Sequence, residues 1–154
     1  MVCKVAYRLE QNAEGFPPIA VEILNAIDLG HEQFQIKNAP FFAEGVSYDD
    51  VVRALPTDVP GQYQFETVVQ ASSFISLSLI IMDDSMDSFL MSLLRGLDCV
   101  VEYGEFGAYR VLSVAVPEAA NYAALRNQLQ ILEDKGQISF AELALPKTMS
   151  PQAR

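Results

Sequence analysis

The chain has no tryptophan, one histidine and two cysteines among its 154 residues. Each scarcity closes off a chemistry. With a single imidazole, Ser-His-Asp catalysis, Cys-His catalysis and histidine-based metal binding would all rest on His31. That residue stands beside Glu32 in the turn-like stretch Leu29-Gly30-His31-Glu32, where a solvated side chain is expected. Cys3 and Cys99 are far apart with no histidine near either, so they form neither a zinc set nor a disulfide framework, and a reduced, cytoplasmic setting is expected. Cys99 follows a predicted helix C-terminus, where the helix dipole disfavours a thiolate, and it reads as an inert core thiol. Basic residues are half as numerous as acidic ones, 10 against 20, giving a formal charge of −10. A surface of that sign repels phosphate backbones and anionic lipid, which argues against nucleic acid and membrane and for a basic partner. The longest mainly apolar stretch, Leu77 to Met82 with Ser78 inside it, is far below the roughly 20 residues needed to cross a bilayer, and residues 1–10 carry no apolar leader-type segment. Phosphate-binding glycine loops are also missing: Gly104-Glu105-Phe106-Gly107 joins two predicted strands with no helix behind it. The nearest approach to a cation site is Asp83, Asp84 and Asp87, whose spacing matches no calcium loop and suits a helix N-terminus. Neither a cofactor nor a metal is expected.

What is present is apolar: 51% of residues are hydrophobic and 19% charged, enough for one good core or two small ones sharing an interface. Residues 1–70 read as short strands. Val2 to Leu9, a period-two stretch through Ile19, Val21 and Ile23, a return through Phe34 and Ile36, Val51 to Leu55 and Tyr63 to Val69 are separated by Gly15, Pro17-Pro18 and the 56–61 Pro/Gly segment. A small antiparallel, barrel-like block is predicted. Residues 71–146 change character. A strand through Ile75, Leu77, Leu79 and Ile81 precedes a helix capped by Asp84 or Ser85, with Met86, Phe89, Leu90, Leu93, Leu94 and Leu97 on one stripe. Two strands around the 104–107 turn follow, then a helix capped by Asn121 with Tyr122, Leu125, Leu129 and Leu132 inward and Gly136 as its stop, then a strand from Ile138 to Leu143. This βαββαβ order predicts a ferredoxin-like sandwich with strand order 4-1-3-2 and both helices on one face. The expected core is Leu77, Leu79, Phe89, Leu93, Leu112, Val114, Leu125 and Leu129. The whole is an α+β chain forming one compact unit, with the β block packed on or beside the other sheet face and a loose tail at 147–154.

Between the barrel strands lies Asn38-Ala39-Pro40-Phe41-Phe42-Ala43-Glu44-Gly45-Val46, followed by Asp50-Val51-Val52. This resembles a family of bacterial proteins known only as domain of unknown function number 4265, whose members carry a similar N-x-P-F-F-A-x-G stretch and then D-V-V. The likeness extends to Pro18-Ile19-Ala20-Val21-Glu22 and to Asn121-Tyr122-Ala123-Ala124-Leu125-Arg126, and so over most of the chain. It implies no activity and no catalytic residue. Where family members often show Gly-His-Ser-Thr opening the central strand, this chain has Ser73-Phe74-Ile75-Ser76. The signature reads as scaffold: Phe41 and Phe42 bury large areas, Pro40 fixes the backbone, and Gly45 permits a turn other residues resist.

The predicted topology gathers Asp83, Asp84, Asp87, Glu102, Glu105, Glu133 and Asp134 on one rim, opposed only by Lys135. Such a rim would steer a basic protein into contact. The functional expectation is therefore a non-catalytic cytoplasmic binding protein, such as an immunity protein that neutralises a bacterial toxin, with Asp83, Asp84, Asp87, Glu102 and Glu105 as its partner-binding residues. The alternative is a regulatory module that binds a small ligand, by analogy with other ferredoxin-like units.

Overall fold

The structure is a computed structural model and describes residues 2–146; the expected tail at 147–154 lies outside the described residues. Strands β1 (Val2–Arg8), β2 (Val21–Gly30), β3 (Gln33–Ile36), β4 (Val51–Pro56) and β5 (Gln62–Gln70) form a closed barrel. Consecutive strands pair antiparallel, but the barrel closes through a parallel seam of β1 on β5, with Lys4, Val5 and Ala6 opposite Gln62, Tyr63 and Gln64. The expectation of a purely antiparallel block is corrected at that seam. In a meander of five alternating strands the first and last run the same way. His31 and Glu32 join β2 to β3 with φ of 57° and 62°, both left-handed, the geometry whose twist matches that of a two-residue hairpin.

Within β2 the buried positions are Glu22, Leu24 and Ala26, while Val21 and Ile23 are exposed. The barrel interior takes Val5, Leu24, Ala26, Phe34, Ile36, Val52 and Ala54. A glutamate thus shares the inward side of a strand with a leucine and an alanine.

The second sheet comprises β6 (Ile75–Ile81), β7 (Val100–Phe106), β8 (Tyr109–Val116) and β9 (Ile138–Ala144) in the order β7-β8-β6-β9, with every neighbouring pair antiparallel. Helix α1 (Asp87–Gly96) links β6 to β7, and α2 (Tyr122–Asp134) links β8 to β9. Both helices lie on one face, because Leu90, Leu94, Leu125 and Leu129 share one apolar cluster with Leu77, Leu79, Leu112 and Val114. Helix α2 is as its sequence predicts. Asn121 Oδ1 accepts from the Ala124 N–H at 3.1 Å, the four stripe residues are buried, and Gly136 leaves the helix at φ 73°.

Helix α1 departs from expectation at its start. Asp83, not Asp84 or Ser85, is the capping residue, and it caps a 3-10 turn over Asp84–Met86 by accepting from the Ser85 N–H at 2.9 Å. The tighter turn changes the phase at which the chain enters the α-helix. Leu90 and Leu94 are consequently the fully buried pair, one helical turn apart; Met86, Leu93 and Leu97 pack at the cluster's margin, and Phe89 is 48% exposed. Phe89 is thereby removed from the expected core. No helix among the described residues is long and apolar enough to cross a membrane.

The other face of the second sheet meets the barrel. Phe106 packs edge-on against Phe41 and Phe42, with centroids 5.1 and 5.0 Å apart, and Phe16 packs against Tyr109 at 5.4 Å. Gly104 makes room for this. A Cβ there would stand 2.8 Å from a Phe106 ring carbon and 3.0 Å from the Phe41 ring.

Candidate functional site

The segment 38–50 is an irregular loop at the seam between barrel and sheet, and an irregular backbone can be buried only if its polar groups find partners. Glu22 supplies them at one end. Its Oε2 accepts from the Phe41 N–H at 2.6 Å, and its Oε1 accepts from the Phe42 and Ala43 N–H groups at 3.0 and 2.9 Å. Asp50 does the same at the other end, accepting from the Ser47 N–H at 2.9 Å and, across to the start of the second unit, from the Ser72 N–H at 2.7 Å. The Gly45 N–H donates to the Leu143 carbonyl at 2.9 Å with φ at 79°, so this glycine serves its left-handed backbone. Asn38 bridges the two units: its Nδ2 donates to Glu102 Oε1 at 2.9 Å, while its Oδ1 accepts from the Asn25 N–H at 2.5 Å. Pro40 and Phe42 are buried and Phe41 is half-buried, so the signature loop is packed and offers no free apolar surface. Glu22 and Asp50 are the site residues that the sequence reading missed. The available signal was a carboxylate in phase with the inward Leu24 and Ala26.

The acidic rim forms only in part. Asp84 and Asp87 are exposed, and both are held by Arg110, Asp84 through Nη1 and Asp87 through Nη2 at 2.6 Å. Asp83 is engaged in capping Ser85, and Glu105 accepts from the Tyr103 hydroxyl at 2.8 Å on the same side of the β7-β8 hairpin. Glu102 is corrected out of this group. Alternation along β7 turns it to the barrel side, onto Asn38. Glu133 and Asp134 are also engaged, the first by the Phe140 N–H at 2.9 Å and the second by Gln130 at 2.9 Å. Lys135 is therefore not the only opposing cation. Arg110 is brought into range because the register places it directly opposite Glu105, a cross-strand pair not visible before the hairpin is closed.

Residues 22–140 match the family described as a domain of unknown function (DUF4265). The chain belongs to this family. The matched span begins at Glu22 and contains the loop it holds, Asp50, Glu102 and the Arg110 cluster, so the seam between barrel and sheet lies inside the family's shared part. No curated protein sequence matches the chain. Among solved structures it is similar to a hypothetical protein from Neisseria gonorrhoeae, at 21% identity and a TM-score of 0.78 over 94% of this chain and 96% of that one. At that identity the likeness concerns the fold alone.

Other candidate chemistry is bland in place. His31 is exposed in its turn. Cys99 is half-buried, and its thiol is pushed up to about 11 by burial and then by Asp98, which leaves it protonated at neutral pH. No group of three or more His, Cys, Asp or Glu among the described residues is placed to hold a metal ion.

The two buried carboxyls have a pH consequence. Burial raises Glu22 above the usual carboxyl range, with Glu102 adding to the rise and the three N–H bonds opposing it. Burial likewise raises Asp50 against the pull of its Ser72 and Ser47 bonds. Both groups hold a proton more tightly folded than unfolded. Their stabilising contribution is fully present below the ordinary carboxyl pKa and is lost as pH rises through the raised values. Urea midpoints of the wild-type chain should fall as pH rises across that window, and Glu22→Gln should flatten the slope. Equal slopes in the two proteins would assign the titration to other groups.

Proposed function

We propose that this protein is a non-catalytic, cytoplasmic protein-binding module whose partner is a basic protein, in the manner of an immunity protein that neutralises a bacterial toxin. We also take the βαββαβ unit with its 4-1-3-2 strand order as ferredoxin-like. The observation that carries the functional reading is the edge formed by residues 82–89 and the β7-β8 hairpin. There Asp84, Asp87 and Glu105 stand exposed around Arg110 and Tyr103, and Met82, Phe89 and Tyr103 are left uncovered at 62%, 48% and 51% exposure. Aromatic, methionine and arginine side chains are those that protein interfaces favour at their centres, with charged groups at the rim. A net charge of −10 adds long-range attraction for a cationic partner.

The test is co-expression with the product of the adjacent gene, followed by gel filtration and association kinetics. A stable complex is expected. Reversal of Asp84 and Asp87 to lysine should slow association several-fold and weaken its salt dependence, with the circular dichroism spectrum unchanged, because exposed charges act chiefly on encounter. A complex that associates at the wild-type rate in the double variant would move the docking surface elsewhere. Failure to form any complex would remove the main support for the reading.

A further inference from the structure

Between the end of β1 and the outer strand β9, the barrel and the sheet leave a cleft of about 610 Å3. That is the size of a small-molecule site, at the kind of junction between two units where such sites occur. Its floor is the barrel-facing side of β6 and β9 at Ser78, Ile80 and Ser139, and its walls include Arg8, Phe16 and Phe42.

Two of these residues are chemically unspent. Ser78 is only 6% exposed, lines the cleft, and makes no side-chain hydrogen bond to any described residue. Buried hydroxyls are ordinarily satisfied, so this one is available to an occupant. Arg8 makes no ion pair among the described residues, a state it shares with Lys4, Arg95 and Lys135, but of these four it alone lines the cleft. In a chain with twice as many acids as bases, an unpaired guanidinium at the wall of a cleft marks the place for an anion. Phe16 and Phe42 stand edge-to-face at 5.8 Å and supply an aromatic wall.

We infer that this cleft is a binding site for a small aromatic monocarboxylate carrying a polar ring substituent, with the carboxylate on Arg8, the ring against Phe16 and Phe42, and the substituent on Ser78. Glu10 and Glu44 also line the cleft and disfavour polyanions such as phosphorylated ligands. An extended peptide added to β9 is disfavoured by the strand itself. Its Phe140 N–H is taken by the Glu133 carboxylate and its Leu143 carbonyl by the Gly45 N–H. The site is separate from the Arg110 edge, so its test stands apart from that of protein binding.

The probe is 4-hydroxyphenylacetate, titrated into the isotopically labelled full chain and followed by amide chemical shifts. Saturable shifts are expected at residues 8–17, 42–44, 78–80 and 139–143. The neutral 4-hydroxyphenylacetamide should bind about tenfold more weakly, the worth of a charge-assisted hydrogen bond. In Arg8→Gln, an exposed change, the acid and the amide should bind equally. In Ser78→Ala the hydroxylated acid should lose its advantage over phenylacetate. The proposal is overturned by an absence of saturable shifts at low-millimolar probe, by shifts confined to other surfaces, by an Arg8→Gln chain that still prefers the acid, or by β9 shifts with an extended peptide and none with the acid.

Discussion

Replacement of Glu22 by alanine is expected to lower folding stability by about 3 to 5 kcal/mol, seen as a fall in the urea midpoint. The substitution removes the acceptor of three backbone N–H groups in a segment shielded from water. Each orphaned donor costs ~1–3 kcal/mol, and the relief of no longer burying a carboxyl offsets part of the sum. Glu22→Gln retains one oxygen and brings an NH2 group against donors, so its loss should be about half as large. The damage should also be local. Amide exchange should quicken first at residues 38–46 and at the Asn38–Glu102 bridge, while the helix-covered core keeps its protection. A Glu22→Ala protein within about 0.5 kcal/mol of wild type would show that the loop is held by its ring packing against Phe106 and not by the carboxylate.

Leu94→Ala should cost about 2 to 5 kcal/mol, because Leu94 is fully enclosed between α1 and the sheet and little around it can collapse into the space. Two neighbours on the same helix provide the contrast. Phe89→Ala, at an exposed position, should stay within about 0.5 kcal/mol. Leu93, at the margin of the cluster, should fall between them at about 1 kcal/mol. Equilibrium unfolding of the three variants reads the orientation of α1 directly. A Phe89→Ala cost equal to that of Leu94→Ala would mean that the helix is rotated toward the phase its sequence stripe first suggests.

Much of the fold was legible because it is governed by local chemistry. Period-two runs broken by glycine and proline marked the barrel strands, and the Asn121 cap, the Tyr122-Leu125-Leu129-Leu132 stripe and the Gly136 stop marked α2 almost to the residue. The family was legible too, since residues 38–52 carry an unusual local sequence. The phase of α1 was less so. Its sequence offers six apolar positions for a face that buries two at its centre, and packing against the sheet picks Leu90 and Leu94 from among them. The acidic rim was legible in its charge and not in its arrangement. Asp84 and Asp87 share Arg110, and the hairpin register sets Arg110 opposite Glu105, but strand parity sends Glu102 to the opposite face.

Composition and periodicity thus determined by themselves the charge, the succession of strands and helices and the residues able to form a core, while the resemblance to the family rested on the local motif at residues 38–52. The tertiary structure alone decided that Glu22 and Asp50 hold the signature loop, that Arg110 sits among the rim carboxylates, and that Ser78 and Arg8 face one cleft. The reason is physical. A helix stripe or a turn depends on neighbours a few residues away, whereas a buried carboxylate's partners lie 20 or so residues off and a cross-sheet cation's farther still, brought into reach only once the barrel and sheet have closed.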